Sequence, residues 1–192
     1  MKLSRFLALA AFILPALAHA HPGHEGHELT WDFVGGAAHP FSGWDHLIAM
    51  IAVGLWATQL GGRSRWLVPA AFVTVMTLGA AAGSAGFHLY GVEQGIAASI
   101  LVLGLLIAAA TKVRTSTAMS IAGLFAFFHG IAHGAEMPLS TNELSYGAGF
   151  VAATIVLHLS GIALGIAVKN QQKAARFAGG AIAIAGTLGF LT

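Results

Sequence analysis

The sequence predicts an all-α membrane protein, a bundle of six transmembrane helices behind a cleaved signal peptide. Three observations predict it. Hydrophobic residues fill 57% of the 192 positions and charged residues only 8%, with a mean hydropathy of +0.79. Soluble domains carry about a quarter charged residues, so this chain has too few to coat a water-facing surface. Second, the apolar residues fall into runs near the ~20 residues that a helix needs to cross a bilayer. Third, every Lys and Arg beyond the leader lies in alternate connections between those runs.

The leader comes first. Lys2 and Arg5 form a basic start, Phe6 to Leu17 an apolar run broken by Pro15, and Ala18-His19-Ala20 a small-x-small cleavage site. This is the secretory signal pattern, and the run is too short to span. Cleavage after Ala20 assigns 1–20 to the signal peptide and 21–42 to a periplasmic His-rich tail and approach to the first span. Residues 43–192 then form the transmembrane domain.

The six spans are expected at roughly 43–61, 66–87, 95–111, 117–135, 146–168 and 176–192. Arg63 and Arg65 fall after the first, Lys112 and Arg114 after the third, and Lys169, Lys173 and Arg176 after the fifth. The intervening loops carry no Lys or Arg. All positive charge thus lies on one side, the cytoplasmic side by the positive-inside rule. An exported N-terminus gives the same topology independently, with the mature N-terminus periplasmic in a bacterial inner membrane. Trp44, Tyr90, Tyr146 and Trp66 are expected at the interfaces. Gly79/Gly83, Gly130/Gly134 and Gly161/Gly165 are small-xxx-small pairs suited to close helix packing. Spans 1–3 and 4–6 enter from opposite sides, the pattern of an inverted repeat.

Composition also excludes functions. There is no cysteine, hence no disulfide, thiolate site or cysteine nucleophile. No basic patch accompanies the pI of 9.3, so nucleic acid is not an expected partner. No GxxxxGK[ST] loop is present to bind ATP phosphates.

Ten histidines against nine Lys plus Arg mark the chemistry. An ionisable group at the bilayer centre costs about 2.5–3.5 kcal/mol on insertion scales, so each one needs a reason. The first span opens with His39-Pro-Phe-Ser-Gly-Trp-Asp45-His46. His39 and His46 are two turns apart if the helix starts that early, and Pro40 suits a first helical position. Taken singly, Asp45 reads as a helix cap and His46 as a hydrogen-bonded core histidine. In the fourth span, His129, His133 and Glu136 follow i, i+4, i+7 spacing and share one face. Two imidazoles one turn apart can chelate one metal, with Glu136 as third ligand or as orienting acceptor. The opposite directions of spans one and four bring both motifs to the same outer depth.

Auxiliary metal candidates surround them. His21, His24 and His27 punctuate the tail, and a short His-rich tract suits metal capture. A solvated tail that binds nothing explains it equally well. His88 and Glu93 fall in the second outer loop, His88 reading equally as an interfacial residue. His158 lies roughly 16 Å into the fifth span, where a core histidine is as good a reading as a ligand.

The pair His39-x5-Asp45-His46 and Phe128-His129-Gly-Ile-Ala-His133-Gly-Ala-Glu136 resembles the HupE/UreJ family of nickel permeases. The resemblance extends to chain length, leader and six-span layout. It implies uptake of nickel (or cobalt) for urease or hydrogenase maturation, with Ni2+ as transported substrate and no resident cofactor. It implies His39, Asp45, His46, His129, His133 and Glu136 as transport residues, a non-enzymatic permease, and a nickel-enzyme maturation system downstream. Imidazole suits several divalent metals, so the ligand types do not choose among them. The competing expectation is an intramembrane metal-dependent hydrolase using the same His/Asp ligands; oligomerisation is left open.

Overall fold

The computed structural model describes residues 32–137 and 142–191. The leader and His21, His24 and His27 lie outside them. The described residues form helices and no strands: α1 (Phe33–Ser42), α2 (Trp44–Leu60), α3 (Ser64–Ser84), α4 (Val92–Ala109), α5 (Thr115–Glu136), α6 (Glu143–Ala167) and α7 (Gln172–Leu188). By length and composition, α3, α4, α5 and α6 are apolar and long enough to cross a membrane. The 17 residues of α2 and of α7 give each about 26 Å at 1.5 Å per residue.

The outward faces are apolar. Leu78, Leu105, Leu124, Ile155 and Ile184 come from different helices, and each is exposed. A surface of that kind suits lipid, where every backbone group must be satisfied within the helix. Trp56, Phe72, Met50, Met76, Leu103 and Ile107 fill the interior. Small residues set how closely the helices approach. A Cβ on Gly54 would strike the backbone of α6 at His158, and one on Gly161 would strike α2 at Ile51. Gly79 and Gly83 sit against α5, Gly130 and Gly134 against α3, and Gly104 and Gly179 join α4 to α7. The glycine pairs expected to pack helices do so, although Gly165 meets Thr58 rather than another backbone.

Hydrogen bonds tie together the end of the bundle where the basic residues gather. Lys112 Nζ donates to the Gln59 carbonyl, and Arg176 Nε donates to the Ala108 carbonyl at 2.8 Å. Each cation meets the negative end of a helix, α2 or α4. Ser64 Oγ and Thr115 Oγ1 pair at 2.7 Å between the starts of α3 and α5.

Three expectations fail at the other end. His39 and His46 do not share one helix. The chain breaks at Gly43, whose extended backbone (φ −99, ψ 121) separates α1 from α2. Pro40 is not a first helical residue; it lies inside α1, which starts seven residues earlier behind Asp32, whose side chain accepts from the Gly35 N–H at 2.9 Å. Tyr146 is not an interfacial aromatic but is buried at 4% exposure in the first turn of α6. Gly36 of α1 lies against its backbone, and Gly149 of α6 lies against Phe33, which docks α1 onto α6. Trp66 and Tyr90 are exposed, as expected of belt residues.

Candidate metal site

Three helix ends meet at the site. The start of α2 supplies Asp45 and His46, the last two turns of α5 supply His129, His133 and Glu136, and the end of α1 swings His39 over them. The His46 and His133 ring centroids are 4.4 Å apart, His46 and His129 5.0 Å, and His39 and His133 4.8 Å. Residues on three helices, separated by up to 97 positions, thus occupy one locus. The fold brings the two sequence motifs together.

Among the described residues, two groups have ligand atoms within 4.8 Å of one another: His46, His129 and His133, and His39, His133 and Glu136. Ligands at about 2.1 Å from one ion lie no more than ~4.2 Å apart, so each group could hold an ion once its side chains draw closer together. His133 belongs to both. Glu136 Oε2 stands 3.9 Å from His39 Nε2 and 3.9 Å from His133 Nδ1.

Burial grades inward. The Glu136 side chain is 56% exposed, that of His39 18% and that of His46 12%, whereas His133 is 4% exposed and His129 is fully buried. Yet His46 Nε2, His129 Nδ1 and both ring nitrogens of His133 have no hydrogen-bond partner among the described residues. An unmade hydrogen bond at a buried polar atom costs about 1–3 kcal/mol. Four such atoms on three rings in one cluster are costly as packing and suited to binding an electron-pair acceptor.

Asp45 is brought to the site but stands in neither ligand group. Its Oδ1 accepts from the His46 backbone N–H at 2.8 Å and pairs with His46 Nδ1 at 2.7 Å. A carboxylate on one ring nitrogen fixes the imidazole's orientation and leaves the other nitrogen to a ligand. Gly43 makes room for this pair, since a Cβ there would lie 2.7 Å from Asp45 Oδ1 and 3.1 Å from His46 Nδ1.

Of the auxiliary candidates, His88 and Glu93 line a cavity of about 210 Å³ together with Glu136. His158 joins neither group; it is buried on α6 with its ring 5.2 Å from that of Phe72, and Phe72 in turn lies 5.7 Å from His129. Sequence reasoning missed Phe72, Phe150 and Ser99. Phe150 packs 4.4 Å from the His133 ring and 5.8 Å from the His39 ring, and Ser99 Oγ lies 3.1 Å from His129 Nε2. Nothing in an apolar helix marks a phenylalanine or a lone serine as belonging to a site that neighbouring helices build.

No solved structure matches the chain. Protein HupE from Rhizobium leguminosarum bv. viciae is 47% identical to it over 190 residues, covering 97% of each. The family model described as HupE / UreJ protein matches residues 7–188. With a match of that extent, including both motifs that build the histidine cluster, the chain belongs to the HupE/UreJ family.

Proposed function

We propose that this chain is a secondary or facilitated permease that brings a divalent transition metal, nickel first and cobalt next, into the cell. The observation that carries the reading is the convergence of unpartnered, buried imidazole nitrogens from His46, His129 and His133. Family membership supports the metal. The proposed setting is a bacterial inner membrane with a leader over 1–20, six spans over 43–192 and the mature N-terminus outside. The companion proposal is a nickel-enzyme maturation system that receives the ion. The hydrolase alternative gains no support from the family match.

The graded burial suggests how the ion moves. Glu136, the most exposed of the six, collects the hydrated cation at the cavity it shares with His88 and Glu93. The ion trades water for imidazole in the group of His39, His133 and Glu136. It then passes to the group of His46 and His129. Because His133 belongs to both groups, the ion keeps one ligand throughout and never crosses bare. Transport requires binding strong enough to enter and weak enough to leave, and a hand-over between three-ligand groups meets that need. His158 stands apart from both groups, its ring 5.2 Å from that of Phe72.

Uptake of radioactive nickel by nickel-starved cells tests this. Cells expressing the protein are expected to take up nickel, with cobalt the stronger competitor and zinc the weaker. His46→Ala and His133→Ala, at matched membrane abundance, are expected to fall to the level of empty cells. Native protein that raises uptake of none of the three metals would sink the transport reading.

A further inference from the structure

Ser99 is fully buried on α4 and makes two polar contacts. Its Oγ lies 2.6 Å from the Ile96 carbonyl oxygen and 3.1 Å from His129 Nε2. A hydroxyl has one proton. Two oxygens 2.6 Å apart need that proton between them, because otherwise lone pair would face lone pair; the distance is that of a short O–H···O hydrogen bond. The Ser99 proton is therefore committed to Ile96. Toward His129 the hydroxyl oxygen has only lone pairs left, so His129 Nε2 must carry the hydrogen and donate it. A neutral imidazole protonated at Nε2 has its lone pair at Nδ1. That atom is the buried nitrogen of His129 without a partner.

We propose that Ser99 is a positioning residue that locks His129 in its Nε2–H tautomer and so presents Nδ1 to the metal. The proposal rests on the metal-permease reading for its purpose, but not for its geometry. His46 is held in the opposite sense. Asp45 occupies its Nδ1 and leaves Nε2 open. The inner group thus joins one imidazole bound through Nε2 with one bound through Nδ1, each fixed by an acceptor on its far side. Two histidines from antiparallel helix ends approach a common point from different directions. Opposite tautomers let each offer a lone pair there without rotating into its neighbour, and the two rings stand perpendicular, at 90°. An acceptor behind the ring also raises the basicity of the ligating nitrogen.

The test uses the full-length protein, purified in detergent with 15N-labelled histidine and free of metal. Nitrogen NMR separates protonated from unprotonated ring nitrogens, and His129→Gln assigns the signals by difference. The expected result is a protonated Nε2 and an unprotonated Nδ1 on His129, with a mixture of tautomers in Ser99→Ala. Nickel(II) titration of the same samples is expected to give roughly 10–100-fold weaker binding in Ser99→Ala, the usual cost of removing a partner behind a ligand. Ser99→Thr, which keeps the hydroxyl, is expected to recover most of that loss. A native His129 protonated at Nδ1 overturns the proposal whatever the variants do. So does a Ser99→Ala protein with unchanged tautomer and unchanged nickel affinity. The NMR result holds or fails with no metal present, so it is separable from an absence of nickel uptake, which would instead remove the transport reading.

Discussion

At the scale of the residue, Gly43 leaves the space that the Asp45–His46 pair occupies. Its backbone is extended rather than left-handed, so conformational freedom is not what requires glycine there. Space is. A methyl at that position would meet Asp45 Oδ1 at 2.7 Å and His46 Nδ1 at 3.1 Å, and both are side-chain atoms that can move aside. Gly43→Ala is therefore expected to fold normally by circular dichroism but to break the 2.7 Å bond that orients His46. Nickel affinity, measured by titration, is expected to fall about tenfold or more, in the range seen when such partners are lost. Gly147 is the control, because a Cβ there would meet nothing within 4 Å; Gly147→Ala is expected to leave affinity unchanged. The same logic explains what the sequence could reveal at this scale. The spacing of His129, His133 and Glu136 announced one helix face, and the structure keeps them together. That Asp45 pairs with His46 while Ser99 stands behind His129 was not legible, because those contacts depend on which atom faces which neighbour.

At the scale of the helix, stability rests on glycine contacts, and these separate from the site. Lipid offers no hydrophobic drive for helices to associate, so close backbone approach and van der Waals packing hold them. A Cβ on Gly104 would press on the Ala183 backbone of α7, with Cα at 2.7 Å, whereas one on Gly134 would press on Ala80 of α3, with the carbonyl carbon at 2.8 Å. Overpacking of this kind costs about 1–3 kcal/mol. Both Gly104→Ala and Gly134→Ala are expected to lower the thermal unfolding midpoint. Only Gly134→Ala, adjacent to His133, is expected to weaken nickel binding as well. An equal effect of the two on affinity would mean that the site senses global packing rather than its own helix. Helix positions were largely readable in advance: the expected 43–61 and 117–135 compare with Trp44–Leu60 and Thr115–Glu136. Hydropathy reports these helices well because each is apolar along most of its length. The short α1 was not readable. With Gly35, Gly36 and Pro40 it has poor helix formers, and tertiary contacts of Gly36 and Gly149 stand in for local propensity.

At the scale of the whole molecule, the closest helix pairs have a pattern of their own. α3 packs on α5, α4 on α7, and α2 on α6. Exchange of the first three of these helices with the last three, in order, turns α2/α6 into α5/α3 and returns α4/α7 to itself. The three dominant pairings keep their pattern under that exchange, whereas the contacts of α2 with α3 and α4 have no comparable counterpart between α5 and α6 or α7; the candidate metal residues lie on α1, α2 and α5. An inverted repeat would place a site between halves of opposite orientation, so topology is the property on which the transport reading depends. The absence of cysteine makes topology directly measurable, because any introduced thiol is alone. Tyr90, between α3 and α4, and Asn170, between α6 and α7, are both exposed and lie in connections of opposite expected sidedness. Neither substitution removes a positive charge that sets orientation. In intact spheroplasts, a membrane-impermeant maleimide is expected to label Tyr90→Cys and to spare Asn170→Cys until the membrane is opened. The reverse pattern would turn the histidine cluster toward the cytoplasm, where Glu136 would collect metal for export. Labelling of both from outside would overturn the proposed layout of six spans.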